Sequence, residues 1–534
     1  MAEGGVVPGR VDVYDTTLRD GSQQGGMSLT VEDKVRIAEQ LDALGVHYIE
    51  GGFAGSNPKD DEFFRRFRDG EEVLHHSQLV AFAMTRRAGG RADDDPIMQA
   101  LLEAGTDVVC IVGKAWDYHV LQALQTTLDE GVAMVRDSIE WLVANGRRVF
   151  LDAEHFFDGY KRNPEFSMRV LHAAEEAGAE VLVLCDTNGG TLPHDAARIV
   201  GEVRAATSVQ IGVHFHDDGG TAVANTLAGV LAGATQVQGC VNGYGERTGN
   251  ANLCSIIPDL TLKMGVETIP RDRFELLTPV AHHISELVNI APNPQSPFVG
   301  ASAFAHKSGI HTSAIARARD AYEHVDPDLV GNGTRFVLSE QAGRSTVELK
   351  AREVGLDLDG PAMARLLDEL KTLEHRGYHF EAADGSLELL MRTATGWTQD
   401  FFEIESFRVI TEQRDNGSFI TEATIKVHVG DARIVATAEG NGPVNALDGA
   451  LRSAIGQAYP SLASLHLTDY KVRVLDTQKG TGAVTRVLID STDGERTWST
   501  IGVSENIIEA SWQALSDSIV YSLLQTALDG TPAD

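Results

Sequence analysis

Eight short apolar runs alternate with amphipathic stretches across the first half of the chain, and nothing else constrains the fold as tightly. The runs predict strands at Val11–Leu18, Tyr48–Gly52, Leu79–Met84, Val108–Gly113, Arg148–Glu154, Val181–Thr187, Val209–Asp217 and Gln236–Asn242. Between them lie helical patterns such as VEDKVRIAEQLDALG, in which Val31, Val35, Ile37, Ala38, Leu41 and Leu44 mark one apolar face. Ser28 and Thr30 offer hydroxyl caps at its start, and Gly45 is placed to end it. Eight strands alternating with helices predict parallel βαβ units closed into an α/β fold, a (β/α)8 TIM barrel. An open doubly wound sheet gathers its polar residues at one switch point. Here they stand at the C-terminal ends of most strands, which favours the closed barrel.

Beyond about residue 260 the rhythm changes. The barrel domain is placed at 1–275, followed by a helical connector subdomain at 276–400 that is broken by NIAPNPQSPFVG. Residues 401–534 read as a C-terminal α+β domain. Its strand patterns FEIESFRVITEQ, SFITEATIKVHVG and ARIVATAEG are separated by Asp415-Asn416-Gly417 and Gly430-Asp431, which are hairpin turns. A helix near Val444–Tyr459, two more strands (Tyr470–Thr477 and Thr485–Ser491) and a last helix near Ile507–Leu528 complete it. The two halves of the chain do not read as repeats of one another.

Composition narrows the partners. A chain of 534 residues exceeds what one core usually serves, so two or three domains are expected. With 45 Lys plus Arg against 77 Asp plus Glu, the formal net charge is −32. Such a field repels phosphate backbones and anionic lipid, so neither nucleic acid nor membrane is an expected partner. The four cysteines, Cys110, Cys185, Cys240 and Cys254, form no CxxC pair. The opening MAEGGVVPGR has no apolar signal core, and no stretch approaches roughly 18 uninterrupted apolar residues. The expectation is a soluble, reduced, cytoplasmic protein.

The chemistry concentrates at strand ends. In Val213-His214-Phe215-His216-Asp217-Asp218 the two histidines are two apart, so both side chains leave the seventh strand on one face. Alone, an HxH is more often a structural pair than a ligand pair. Asp20, just past the first strand, ends in the same mouth if the barrel closes, and it completes a two-His, one-Asp set. Asn250, after the eighth strand, could add an amide oxygen. Such a mixed set suits Zn, Mn, Mg or Co, with positions left open for substrate. Arg19 reads equally as a surface partner of Asp15 or Asp20 and as a fixed donor for an oxyanion. Glu154 reads as a carboxylate aimed into the mouth or as a solvated cap. Thr187 reads as a donor to a substrate carboxylate or as a turn residue. His306 and His311, five apart around a glycine, lie outside the barrel and favour a plain loop, with Tyr322 close behind in sequence.

Taken together, YDTTLRDGSQ, YIEGGFAGSNPKD, DAEHFFDGYKRNP, LCDTNGGTLPH, HFHDD, NGYGERTGNANL, AHKSGIH and YEHVDPDLVGN resemble the 2-isopropylmalate, homocitrate and citramalate synthases. EGGFAGSNPKD, DAEHFFDGYKRN and LCDTNGGTLPH are most similar to the citramalate branch. The resemblance covers essentially the whole chain, including a regulatory C-terminal domain.

The resemblance implies a metal-dependent condensation of acetyl-CoA with pyruvate to give citramalate and CoA, in isoleucine biosynthesis. The alternative acceptor is 2-oxoisovalerate, as in 2-isopropylmalate synthase and leucine biosynthesis. By resemblance, Asp20, His214 and His216 match the metal ligands and Asn250 a weaker fourth. Arg19 matches the arginine that polarises the keto oxygen, and Thr187 the threonine on the 2-oxo acid carboxylate. Glu154 matches the acidic residue near the acetyl group. His311 matches the histidine implicated as general base, and Tyr322 a tyrosine that reaches the partner subunit's site. Asp152 departs from the aromatic expected in some citramalate synthases, which alters the keto-acid pocket. Lys307, Arg317 and Arg319 are candidate cations for CoA. A homodimer and an amino-acid effector, isoleucine, are implied for the C-terminal domain.

Overall fold

The computed structural model describes residues 8–306, 315, 318, 322–336, 344–380, 383–475, 480 and 482–530. The chain divides into two compact units, residues 1–304 with 323–334, and residues 305–322 with 335–534.

In the first unit all eight predicted strands form. β1 (Asp12–Asp15), β2 (Tyr48–Phe53), β3 (Gln78–Met84), β4 (Val108–Lys114), β5 (Arg148–Glu154), β6 (Val181–Asp186), β7 (Gln210–Phe215) and β8 (Gln236–Gly239) make a closed parallel barrel. Closure runs through β1 and β8, where Asp12–Asp15 stand against Gln236–Gly239 in register. The helix after β1 spans Val31–Leu44. Thr30 and Asp33 form a reciprocal capping box at its start, and Gly45 ends it at φ 87°, a backbone region that suits glycine. Its buried Val35, Ile37, Ala38, Leu41 and Leu44 are the predicted face, and they join the apolar shell between strands and helices.

Inside the barrel a second, smaller cluster contains Tyr14, Tyr48, Val80, Phe82, Cys110, Phe150, Val183 and Cys185. Tyr48 and Phe150 meet edge to face at 5.2 Å. The interior is thus a packed floor, not a pore, with the candidate site residues in the layer above it. The helix Leu277–Leu287 also buries Leu277, Val280, Ala281 and Ile284 in the outer shell, so the first unit continues past residue 275.

The second unit holds a repeat of its own, inside the C-terminal half. β9 (Glu403–Gln413), β10 (Phe419–Val429) and β11 (Ala432–Gly440) form one antiparallel sheet, followed by the helix Pro443–Ile455. β12 (His466–Val474), β13 (Thr485–Thr492) and β14 (Thr497–Ser504) form another, followed by the helix Ile507–Leu528. The order β-β-β-α therefore occurs twice. β14 escapes a periodicity reading because its inward residues include Thr500 and Gly502 in place of aliphatics. The helix Asp384–Ala394 packs on the second sheet. Ser386 Oγ accepts from Ile501 N at 3.0 Å and donates to Asp517 at 2.6 Å, while Asp384 accepts from Ser499 N at 2.8 Å. The residue 400/401 boundary thus falls inside this unit. Among the described residues no helix is long and apolar enough to cross a membrane.

Candidate active site

His214 and His216 leave the end of β7 toward the barrel mouth, while Phe215 between them packs on Phe157 at 5.1 Å on the opposite side. Asp20 sits at the head of the short turn Gly21–Gln23 that follows β1. Because the ring closes, only β8 separates those two strands. His214 Nε2 lies 3.2 Å from Asp20 Oδ2 and His216 Nε2 lies 3.6 Å from it. The two Nε2 atoms are 3.3 Å apart. Ligands held at about 2.0–2.2 Å by a tetrahedral ion stand about 3.3–3.6 Å from one another, so the three atoms already have the spacing of a cation shell.

All three side chains are buried, and their charges are strongly coupled. Burial opposes ionisation of Asp20, but Arg19, His214 and His216 hold its carboxyl far below the usual range. Burial, with His214 beside it, lowers His216 to about 4. Burial acts the same way on His214, yet contact with Asp20 carries it above its ordinary value.

Asn250 stands beside this set, its backbone bridged to His216. Its Nδ2 donates to Tyr244 O at 3.0 Å, whereas among the described residues its buried Oδ1 accepts no hydrogen bond. Gly245, at φ 149°, makes this possible, because a Cβ there would come within 2.2 Å of Asn250 Nδ2. Two ring nitrogens, a carboxylate and an orphaned amide oxygen fit a divalent cation.

Arg19 is held on three sides. Its Nε donates to Glu50 Oε2 at 2.5 Å, its NH1 lies 3.5 Å from Asp20, and its guanidinium carbon sits 3.9 Å from the centre of the Phe82 ring. Burial works against its charge, but Glu50, Asp20 and Asp152 keep it firmly protonated. The other Glu50 oxygen accepts from Tyr14 at 2.8 Å. Burial raises the carboxyls of Glu50 and Asp152 above the usual range. Asp152 Oδ1 accepts from Gln238 Nε2 at 3.2 Å, and Gln238 Oε1 lies 2.9 Å from His214 Nδ1.

Above this layer opens a cavity of roughly 290 Å3. Phe53, Phe82, Met84 and Val112 supply its apolar wall. Lys114 and Glu154, opposite each other in the β4–β5 register, form an ion pair on its rim. Thr187 Oγ1 accepts from His155 N at 2.9 Å, and among the described residues its hydroxyl proton is not committed to another acceptor. His155 adopts φ 53° to make that bond, an uncommon conformation for a non-glycine residue. Arg247 reaches the same rim, donating to Thr187 O at 2.8 Å and to both Asp218 oxygens.

Residues 10–271 match the family described as HMGL-like, residues 298–378 the homocitrate synthase post-HMGL domain-like family, and residues 381–523 the LeuA allosteric (dimerisation) domain. The chain is 53% identical over 519 residues to an (R)-citramalate synthase of Streptomyces coelicolor, covering 97% of each chain. It is 49% identical to one of Aquifex aeolicus over 98% of this chain and 99% of that one. Against one of Geobacter sulfurreducens the figures are 50% identity, 96% and 97%. The chain belongs to the (R)-citramalate synthase family.

Of the residues expected for a citramalate synthase, Asp20, His214, His216 and Asn250 come together, with Arg19, Glu154 and Thr187 around the same cavity. Tyr322 is exposed and belongs to the second unit. His311 lies outside the described residues, as do Lys307, Arg317 and Arg319. Sequence reasoning missed Glu50, Lys114, Gln238 and Arg247. Glu50 and Lys114 share one signal it did not use: each is a polar residue toward the C-terminal end of an otherwise apolar barrel strand.

Proposed function

We propose that this chain condenses acetyl-CoA with pyruvate and water to give (R)-citramalate and CoA. The observation that carries the reading is the convergence of Asp20, His214 and His216 beside Arg19 in the barrel mouth. The near full-length similarity to (R)-citramalate synthases supports the same assignment. A divalent cation bound by Asp20, His214, His216 and Asn250 would draw electron density from the keto carbonyl, and Zn, Mn, Mg or Co suits this donor set.

The remaining work falls to the chain. Thr187 offers its hydroxyl proton to the pyruvate carboxylate. Arg19, locked by Glu50, presents fixed N–H groups where negative charge builds on the keto oxygen, the place where such donors contribute most. Phe82 and Val112 receive the pyruvate methyl. His311, with Tyr322 or Glu154 as relay, takes a proton from the acetyl methyl group. That carbon then bonds to the keto carbon, and the keto oxygen ends protonated. Water cleaves the thioester, releasing a carboxylate and the CoA thiol. The C-terminal unit binds isoleucine as feedback effector and joins two copies into a homodimer, and the enzyme acts in the cytoplasm.

The test is release of free thiol from acetyl-CoA across a panel of 2-oxo acids, with and without chelator. Release should need both pyruvate and a divalent cation and disappear in His214→Ala. Faster release with 2-oxoisovalerate would overturn the substrate assignment, and undiminished release after chelation would overturn the cation.

A further inference from the structure

We infer that Asp152 is a positioning residue for the cation site, acting through Gln238 to fix His214 in the tautomer whose Nε2 is free to bind. The inference rests on the cation-site reading above.

Gln238 stands on β8 directly beside His214 of β7 and Tyr14 of β1, fully buried. Its amide bridges the barrel interior, with Oε1 2.9 Å from His214 Nδ1 and Nε2 3.2 Å from Asp152 Oδ1 of β5. A glutamine amide by itself gives no direction, because its oxygen and nitrogen are interchangeable in shape while one accepts and the other donates. A carboxylate at one end removes the ambiguity. Ionised, the form that neighbouring His214 and Arg19 favour against burial, Asp152 only accepts, so Gln238 turns its NH2 toward it and its oxygen toward His214. That oxygen holds a proton on Nδ1, so Nε2 is the nitrogen that gives up its proton to Asp20's side of the site and takes a cation.

Reversed, the amide would push an N–H against Nδ1 and move the imidazole proton to Nε2. A protonated Nε2 faces Asp20 and His216 and offers no lone pair to a cation. Gln238 itself is fully enclosed, so its amide has no solvent to turn to. Asp152 is thus the fixed end of a three-residue wire, Asp152–Gln238–His214, whose free end is a metal ligand. Outer partners of this kind are worth about 10- to 100-fold in metal affinity.

Asp152→Asn and the double variant Asp152→Asn with Gln238→Glu test the wire. In the single variant the new amide can donate as well as accept, so both amide orientations become available and direction is lost. In the double variant the new amide on β5 donates to the new carboxylate on β8. That carboxylate accepts from Nδ1, so the original direction returns at nearly constant volume. Co2+ is titrated into chelator-stripped full-length protein and followed by its visible absorption. The imidazole tautomer of the apo protein is read from 15N shifts of labelled histidine at a pH high enough to leave the ring neutral, with the signal assigned by its loss in His214→Ala.

The single variant should bind Co2+ about 10- to 100-fold more weakly and show His214 protonated at Nε2 or mixed. The double variant should restore both. Wild-type affinity in Asp152→Asn, or weakened binding with an unchanged tautomer, would overturn the positioning role. Failure of the wild-type protein itself to bind Co2+, or binding untouched by His214→Ala, would instead overturn the cation-site reading.

Discussion

Glu50 and Arg19 meet at 2.5 Å inside the barrel, and the second Glu50 oxygen takes the Tyr14 hydroxyl, so each carboxylate oxygen already has a protein partner. Glu50 therefore orients the guanidinium. Removing one member of a buried pair leaves the other charge uncompensated, at a cost of about 3–5 kcal/mol. Glu50→Ala should lower thermal stability accordingly, while the shape-conserving Glu50→Gln should fold and lose kcat. A Glu50→Gln enzyme with wild-type kcat would show that Arg19 needs no anchoring.

Thr187 has one lone pair committed to His155 N and, among the described residues, its proton uncommitted. Thr187→Val keeps the shape and removes the donor. A lost hydrogen bond to a carboxylate is worth about 1.5–3 kcal/mol, so the KM for pyruvate should rise by roughly 10- to 100-fold. The KM for acetyl-CoA should stay near its wild-type value, and steady-state thiol release measures both.

Asp15 is fully buried and accepts from Thr17 N and Thr17 Oγ1. Burial raises its carboxyl from 3.8 to about 7, against the pull of those hydrogen bonds. A carboxyl raised on folding keeps its proton in the native state after the unfolded chain has lost it. Its contribution is therefore full below about pH 4 and is lost as pH climbs toward 7. Asp15→Asn removes that dependence. Between pH 5 and pH 7 the difference in unfolding free energy should move in favour of the variant by roughly 2 kcal/mol, at about 1.4 kcal/mol per pH unit. Denaturant melts at the two pH values decide it; a constant difference would mean that Asp15 titrates normally.

Glu388 ties the helix Asp384–Ala394 to the last helix, accepting from Arg392 at 2.6 Å and from the Tyr521 hydroxyl at 3.1 Å. Glu388→Ala should destabilise the second unit by about 3 kcal/mol because Arg392 and Tyr521 lose their buried acceptor. Calorimetry of the full chain should show the loss as a downward shift of that unit's transition.

What was legible in the sequence was local or periodic. Thr30 and Gly45 announce the helix they bound, and His214-x-His216 shows its shared face because strand periodicity is two. Asp20 could be joined to that pair only by assuming closure, which the eightfold alternation justified. Gln238 was not legible, because its meaning lies in register across strands far apart in sequence. Nothing near Gln238 in the chain announces that it lies between Asp152 and His214. β14 was missed for a different reason. Thr500 and Gly502 sit where an aliphatic would mark the buried face, so the helix packed on them, not the strand's own apolarity, defines it.

The β1–β8 seam has a consequence for how the molecule is made. Asp20 is synthesised almost two hundred residues ahead of His214, and the strand that bridges their two neighbours comes later still. A nascent or truncated chain lacking β8 holds each donor separately, as isolated weak sites. Tight capture of a cation should thus appear late and all at once during refolding, a built-in signal that the ring has shut.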